Sequence, residues 1–201
     1  LKKAWKGERF SYPSRFHKIE NVRVTPNSFQ KNGPPIWLAG WVPAGLKRAA
    51  KMGDGWIADP IQSLEVIRDY ANQYRLEAKK HNKKPFVVLM RDCIIGKDWE
   101  AVLSKSGPTM ATHKWYFHYG AYVKDEHIKN IVSEEELTFE TISKERLIAG
   151  SPEQCLEQLS FWKEEIAPDY IMLRMRQPGG PVQTEALEDI KLFGEKVIGH
   201  L

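Results

Sequence analysis

The stretch Pro34-Pro35-Ile36-Trp37-Leu38-Ala39-Gly40, followed by Ala49-Ala50 and then by Gly53-Asp54-Gly55-Trp56-Ile57, decides the fold class. Its first part is an apolar run that stops at a glycine, the pattern of a buried strand. The small-residue stretch Gly40 to Gly45 reads as a loop that leaves backbone N–H groups free, Leu46 to Met52 as a short helix, and Gly55 to Ile57 as the next strand. Such a loop at a helix N-terminus suits an anion, commonly a phosphate.

Outward from this unit the same alternation continues. Strands are expected at about Ile36 to Ala39, Gly55 to Ala58, Phe86 to Ile95 and Tyr170 to Met175, separated by helical patterns. That order is the one expected of βα units in a parallel sheet. Residues 60–82 predict an amphipathic helix with Ile61, Leu64, Ile67, Tyr70, Ala71, Tyr74 and Ala78 near helical spacing, started by Ser63 or Gln62. Ser151 predicts an N-cap, Pro152 the first helical residue and Gln154 the capping-box partner, with Cys155, Leu159, Trp162 and Ile166 on the buried stripe. A closing helix is expected over Thr184 to Gly199. Residues 1–33 read as an extended lead-in in which Phe10, Tyr12 and Phe16 suit a short hairpin or surface strand.

The pattern breaks over about 104–145. Gly107 and Pro108 interrupt a helix begun near Asp98, and His113, Trp115, Tyr116, Phe117, His118, Tyr119 and Tyr122 cluster there. This helical insertion follows the third visible strand. Its aromatics either wall a ligand site as a lid or simply bury the insert. His113 and His118 lack a carboxylate or Cys partner at ligand spacing, so no metal is expected.

Composition places the chain among ordinary globular proteins: 201 residues, 42% hydrophobic and 28% charged. The longest apolar runs are strand length, far below the ~20 residues of a membrane span, and no signal segment opens the chain. A cytoplasmic location without membrane partners is therefore the expectation. The formal charge of +4 comes from 30 basic residues interleaved with 26 acidic ones, so nucleic acid is not expected as a partner. Two cysteines, Cys93 and Cys155, far apart in sequence, offer neither a metal quartet nor a disulfide framework and read as buried reduced thiols.

PPIWLAG followed by RAAKMGDGW, with GERFSY and TPNSFQ upstream, and with Arg91-Asp92, Gly150-Ser151-Pro152-Glu153 and Leu173-Arg174-Met175-Arg176-Gln177-Pro178-Gly179-Gly180 downstream, resembles the luciferase-like monooxygenase family. That family consists of flavin- or F420-dependent (β/α)8 barrel enzymes. The resemblance implies an α/β fold in which residues 34–201 are the C-terminal half of a TIM barrel, strands five to eight. A barrel takes roughly 250 residues or more, so the first four strands are expected to lie outside this sequence, which opens at Leu1 on what reads as the tail of a helix.

The implied activity is oxidation of a small organic substrate by reduced FMN, with F420-dependent hydride transfer as the alternative. A non-catalytic half-barrel that self-associates is the competing class. The expected partner is the missing half or a second copy in a homo-oligomer. Barrel sites lie at the carboxyl ends of the strands, and the resemblance puts cofactor contacts at Ala39, Gly40 and Trp41. Here Trp41, Val42 and Pro43 stand where small hydroxyl residues are common, and Pro43 has no N–H to give; Gly40 otherwise serves a tight turn. Asp59 faces a flavin edge or a substrate, or caps the next helix.

Arg91 and Asp92 point to opposite faces, and Arg91 is assigned to the barrel interior because it shares a face with Val87 and Leu89. Arg174 and Arg176 share a face opposite Ile171, Leu173 and Met175. With Arg91 they are the candidate anchors of a phosphate or carboxylate, or they pair with acidic residues of neighbouring strands. No catalytic acid or base is assigned.

Overall fold

In the computed structural model, residues 1–31 and 33–201 are described; Asn32, in the lead-in, lies outside the described residues. Two compact units, Leu1–Ile36 and Trp37–Leu201, divide the chain. The first holds helix α1 (Lys2–Trp5) and an antiparallel pair, β1 (Phe10–Tyr12) with β2 (Ile19–Val22).

The second unit is an α/β fold on a five-stranded parallel sheet. Strands β3 (Trp37–Ala39), β4 (Gly55–Ala58), β5 (Val87–Ile95) and β6 (Ile148–Gly150) follow in that order, and β7 (Tyr170–Arg174) pairs with β5. Its helices are α2 (Pro43–Met52), α3 (Leu64–Lys80), α4 (Trp99–Lys105), α5 (Gly107–His118), α6 (Phe139–Ser143), α7 (Pro152–Ile166) and α8 (Gln183–Lys196). Nine-residue β5 is the organising strand, taking Trp56–Ala58 against Val87–Leu89, Ile148–Gly150 against Cys93–Ile95, and Tyr170–Arg174 against Val88–Asp92.

Side chains alternate across a strand, so the two faces of β5 can be told apart by what they touch. Trp56, Ala58, Val87, Leu89, Cys93 and Ile95 share one core with Ile67, Ala71 and Tyr74 of α3, Cys155, Leu159, Trp162 and Ile166 of α7, and Phe193 of α8. That is the helix-covered face. Ile171 and Leu173 pack against the same core, which leaves Met172 and Arg174 of β7, with Val88, Met90, Asp92 and Ile94 of β5, on the opposite face. Trp37 begins that face, 5.9 Å from the ring of Phe86 and 5.4 Å from that of Tyr170.

Local signals act as their chemistry requires. Ser151 and Gln154 form a reciprocal capping box at the start of α7, with Pro152 at its first turn. Ser63 is the N-cap residue of α3. The fifth strand, β6, has no counterpart among the strands expected from the sequence. It is three residues long and ends in Gly150 at φ 143°, so it offers no alternation to read and merges into the capping motif that follows.

The segment between β5 and β6 builds a second core. Ile94 and Ala149 of the sheet meet Val102, Tyr122, Ile128, Leu137, Phe139, Ile142 and Leu147 there. A buried Arg146–Asp125 ion pair locks the segment, and Arg146 Nη1 also donates to the Thr141 and Lys144 carbonyls at 2.9 Å each. Trp115 and Tyr119 stay exposed, their rings 4.5 Å apart. Cys93 and Cys155, distant in sequence, meet between β5 and α7; their contact and their burial both push the Cys93 thiol well up.

At the β3–α2 turn the backbone is closely packed. A Cβ added at Gly40 would stand 2.8 Å from the Gly45 Cα and 2.9 Å from its carbonyl carbon, neither of which can swing aside. Gly40→Ala is expected to lower the unfolding free energy by about 1–3 kcal/mol; a denaturant midpoint equal to wild type would show that strand and helix need not approach so closely.

Candidate functional site at the carboxyl ends of the strands

Asp92, at the carboxyl end of β5, is 1% exposed and charged groups surround it. Arg174 grips it with a planar fork, Nε to Oδ1 at 2.6 Å and Nη2 to Oδ2 at 3.0 Å. Oδ2 also lies 3.3 Å from Nε2 of His113 on α5, whose Nδ1 is 2.5 Å from the Tyr122 hydroxyl. Burial works to raise the Asp92 carboxyl, but His113 and Arg174 outweigh it and hold the group below its ordinary range. Burial pushes His113 down, against the pull of Asp92, so the imidazole is neutral at pH 7. A neutral ring has one N–H. With Asp92 an acceptor only, that N–H sits on Nε2, and Nδ1 accepts from Tyr122, whose hydroxyl burial keeps protonated.

Two further ties join the segment between β5 and β6 to the strand ends. Gln62 Nε2 donates to the Ala121 carbonyl at 2.8 Å, and the Tyr116 hydroxyl supports the Arg174 charge. Burial alone would lower Arg174; Asp92 and Tyr116 reverse that and raise it. Its side chain remains 28% exposed, the one charged member of the group with an open side.

The expected site residues differ in where the structure places them. Arg174 stands at a strand end on the face away from the helices, and it pairs with an acidic residue of the neighbouring strand. Arg176 lies beyond β7, exposed, its Nε donating to the Pro181 carbonyl at 2.8 Å, so it holds the turn instead of sharing a face with Arg174. Asp59 follows β4 half-buried and accepts from the N–H groups of Ile61 (2.9 Å) and Gln62 (3.1 Å), capping a turn ahead of α3 and not α3 itself. Burial raises its carboxyl against those hydrogen bonds and Arg91. Ala39 and Trp41 are exposed at the end of β3, and the Gly40 carbonyl accepts from Trp56 Nε1 at 2.9 Å. Val42, the N-cap residue of α2, gives no side-chain cap.

Arg91 is the correction. It lies on the helix-covered face, fully buried, its guanidinium 3.9 Å from the Trp162 ring centroid and its Nη1 donating to the Asp59 and Met90 carbonyls. Desolvation pushes it down to about 9, still protonated at neutral pH. Asp92, not Arg91, points to the other face. Sharing a face with Val87 and Leu89 was uninformative because Val88 and Met90 make the other face equally apolar. Asp92, His113 and Tyr122 were therefore missed; a carboxylate opposite a strand-end arginine on a neighbouring strand was the only available signal. Among the described residues no group of three His, Cys, Asp or Glu is set to hold a metal ion, and no helix is long and apolar enough to cross a membrane.

Arg91→Met should change stability by no more than about 1–2 kcal/mol in either direction, since an apolar side chain relieves a buried charge whose Nε and Nη2 have no partner. A loss of 4 kcal/mol in denaturant unfolding would contradict that. The depressed His113 makes the unfolded chain bind a proton more readily than the folded one as pH falls below the ordinary value of 6.5. Stability should therefore drop as pH falls below the ordinary value of 6.5 in the wild type, and His113→Gln should lack that component of the slope.

Comparison with known proteins agrees with this architecture. The structure resembles the monooxygenase RslO1 from Streptomyces bottropensis (TM-score 0.73, 18% identity, 99% of this chain and 58% of that one). It also resembles the coenzyme F420 dependent tetrahydromethanopterin reductase from Methanopyrus kandleri (TM-score 0.71, 18% identity, 98% and 60%). A third likeness is to the oxygenating constituent of 3,6-diketocamphane monooxygenase from the CAM plasmid of Pseudomonas putida, in complex with FMN (TM-score 0.70, 13% identity, 100% and 60%). In sequence it is 23% identical over 211 residues to the uncharacterized protein y4vJ of Sinorhizobium fredii, covering 98% of this chain and 58% of that protein. The chain thus spans under two thirds of the length of these relatives. A family model for the luciferase-like monooxygenases matches residues 1–167, and the chain belongs to that family.

Proposed function

We propose that this chain is the C-terminal half, strands five to eight, of a flavin-dependent TIM-barrel oxidoreductase that uses reduced FMN to oxidise a small organic substrate. The observation that carries the reading is the partly exposed Arg174 side chain at the carboxyl end of a parallel sheet, where α/β enzymes bind their ligands. F420 is the alternative cofactor, because both an FMN complex and F420-dependent enzymes stand among the similar structures.

The residues present fit such a group in part. Arg174 keeps donors beyond its Asp92 fork for an anionic group, and exposed Trp41 offers a flat apolar surface at the end of β3. The α2 N-terminus fits less well, since Pro43 has no N–H and Val42 no hydroxyl. Arg174 with the backbone of Ala39, Gly40 and Trp41 would hold the cofactor, and Asp59 would line its edge. Bound, a reduced flavin supplies oxygen activation or a hydride, while the protein orients substrate and excludes water. The chain's own part is to fix the guanidinium and keep His113 neutral behind it.

The sheet face opposite the helices supports the half-barrel reading. Trp37, Ile57, Met90 and Met172 are only half-buried there, and Tyr170 is 50% exposed. Apolar area of that kind calls for cover, which the remaining barrel strands, or a second copy in a homo-oligomer, would give. Alone, the chain is then incomplete and inactive.

Titration with FMN and with F420, followed by fluorescence quenching, tests the reading on this chain and on the protein extended upstream. Tight binding by the extended form alone is the expected result, and the quenching ligand identifies the cofactor. Failure of both forms to bind either ligand would sink the flavin assignment, and a stable monomer of this chain by light scattering would count against the uncovered sheet face.

A further inference from the structure

Arg174 is held with more precision than a surface arginine needs. Both Asp92 oxygens are spent on its Nε and Nη2, Asp92 is backed by His113 Nε2, and His113 is backed by Tyr122. Tyr122, His113 and Asp92 are all buried, at 3%, 0% and 1% exposed, and of the four only Arg174, its side chain 28% exposed, reaches solvent. The chain ends on a group that does not give up its proton at neutral pH, so it is no route for proton transfer. Its effect is orientation. A bidentate fork fixes the guanidinium plane, and the neutral imidazole fixes which carboxylate lone pairs remain for the fork.

We propose that Asp92, His113 and Tyr122 are positioning residues that aim the free edge of the Arg174 guanidinium at an oxyanion of a ligand bound at the strand ends, a phosphate or a carboxylate. The proposal rests on the reading of the strand ends as the ligand site and adds to it the inserted segment. His113 on α5 and Tyr122 after it belong to the stretch between β5 and β6, so the packing of that stretch sets the angle of an arginine on β7. The other charged groups around His113 are Arg146, itself paired with Asp125, and Arg174; both disfavour its protonation, which keeps the single Nε2–H donor in place near neutral pH.

The test compares wild type with Arg174→Gln, Asp92→Asn and Tyr122→Phe, all in the protein extended upstream that the flavin titration uses. Dissociation constants are measured for FMN, riboflavin, inorganic phosphate and butyrate, melting temperatures are recorded alongside, and the ring nitrogens of His113 are read by ¹⁵N NMR. Arg174→Gln and Asp92→Asn should each weaken oxyanion binding by about tenfold, the loss of one charge-assisted contact or of its orientation. Tyr122→Phe should weaken it about two- to threefold.

A fall in the preference for FMN over riboflavin marks a phosphate, and a fall in butyrate binding alone marks a carboxylate. In the wild type the His113 proton should reside on Nε2. A proton on Nδ1 overturns the proposal, as do variants that melt earlier yet keep every oxyanion affinity, because a merely structural role moves only the melting temperature. If neither flavin binds while phosphate binds and Asp92→Asn weakens it, the cofactor reading fails and the positioning role stands. Absence of both phosphate and butyrate binding by the wild type overturns it.

Discussion

A buried carboxylate must be matched by donors or give up its charge, and Asp92 is matched on every side. Arg174 comes from a strand 82 residues further along the chain, and His113 from a helix 21 residues on. One side chain thereby ties β5 to β7 and to the segment that follows β5. Removing Arg174 would leave an uncompensated charge in a dry place, which costs far more than the pair contributes.

The two faces of the sheet are finished differently. Helices α3, α7 and α8 close one face with a continuous apolar core that runs from Trp56 through Leu89 to Trp162. Even the charged Arg91 is absorbed there, flat against the Trp162 ring, where cation–π attraction offsets part of its desolvation. On the other face Trp37, Phe86 and Tyr170 gather at one end, and Asp92 with Arg174 stands at the other.

The segment between β5 and β6 has a core of its own and also reaches the sheet. Its aromatics divide between two roles that the sequence left open: Tyr122 is buried and hydrogen-bonded, Tyr116 supports Arg174, and Trp115 and Tyr119 remain exposed. The Arg146–Asp125 pair locks the segment on itself, and the Gln62 bond to Ala121 ties it to the turn after β4. It is a fitted wall with its own core, and it carries a histidine to the sheet.

By itself the sequence determined the order of β3, α2, β4, α3 and β5, the start of α7 and the stripe on α3, because these depend on periodicity and capping within a few residues. It also carried the family, through short pieces kept in order along the chain. It did not reveal β6, too short to alternate, nor which face of β5 turns away from the helices. Val87 and Leu89 on one side and Val88 and Met90 on the other are equally apolar, and each side carries one charge, Arg91 or Asp92. Tertiary structure decided that choice. Trp162 could stack only on the residue that α7 covers, and the remaining carboxylate met Arg174 and His113, groups that chain folding alone brings within hydrogen-bond reach.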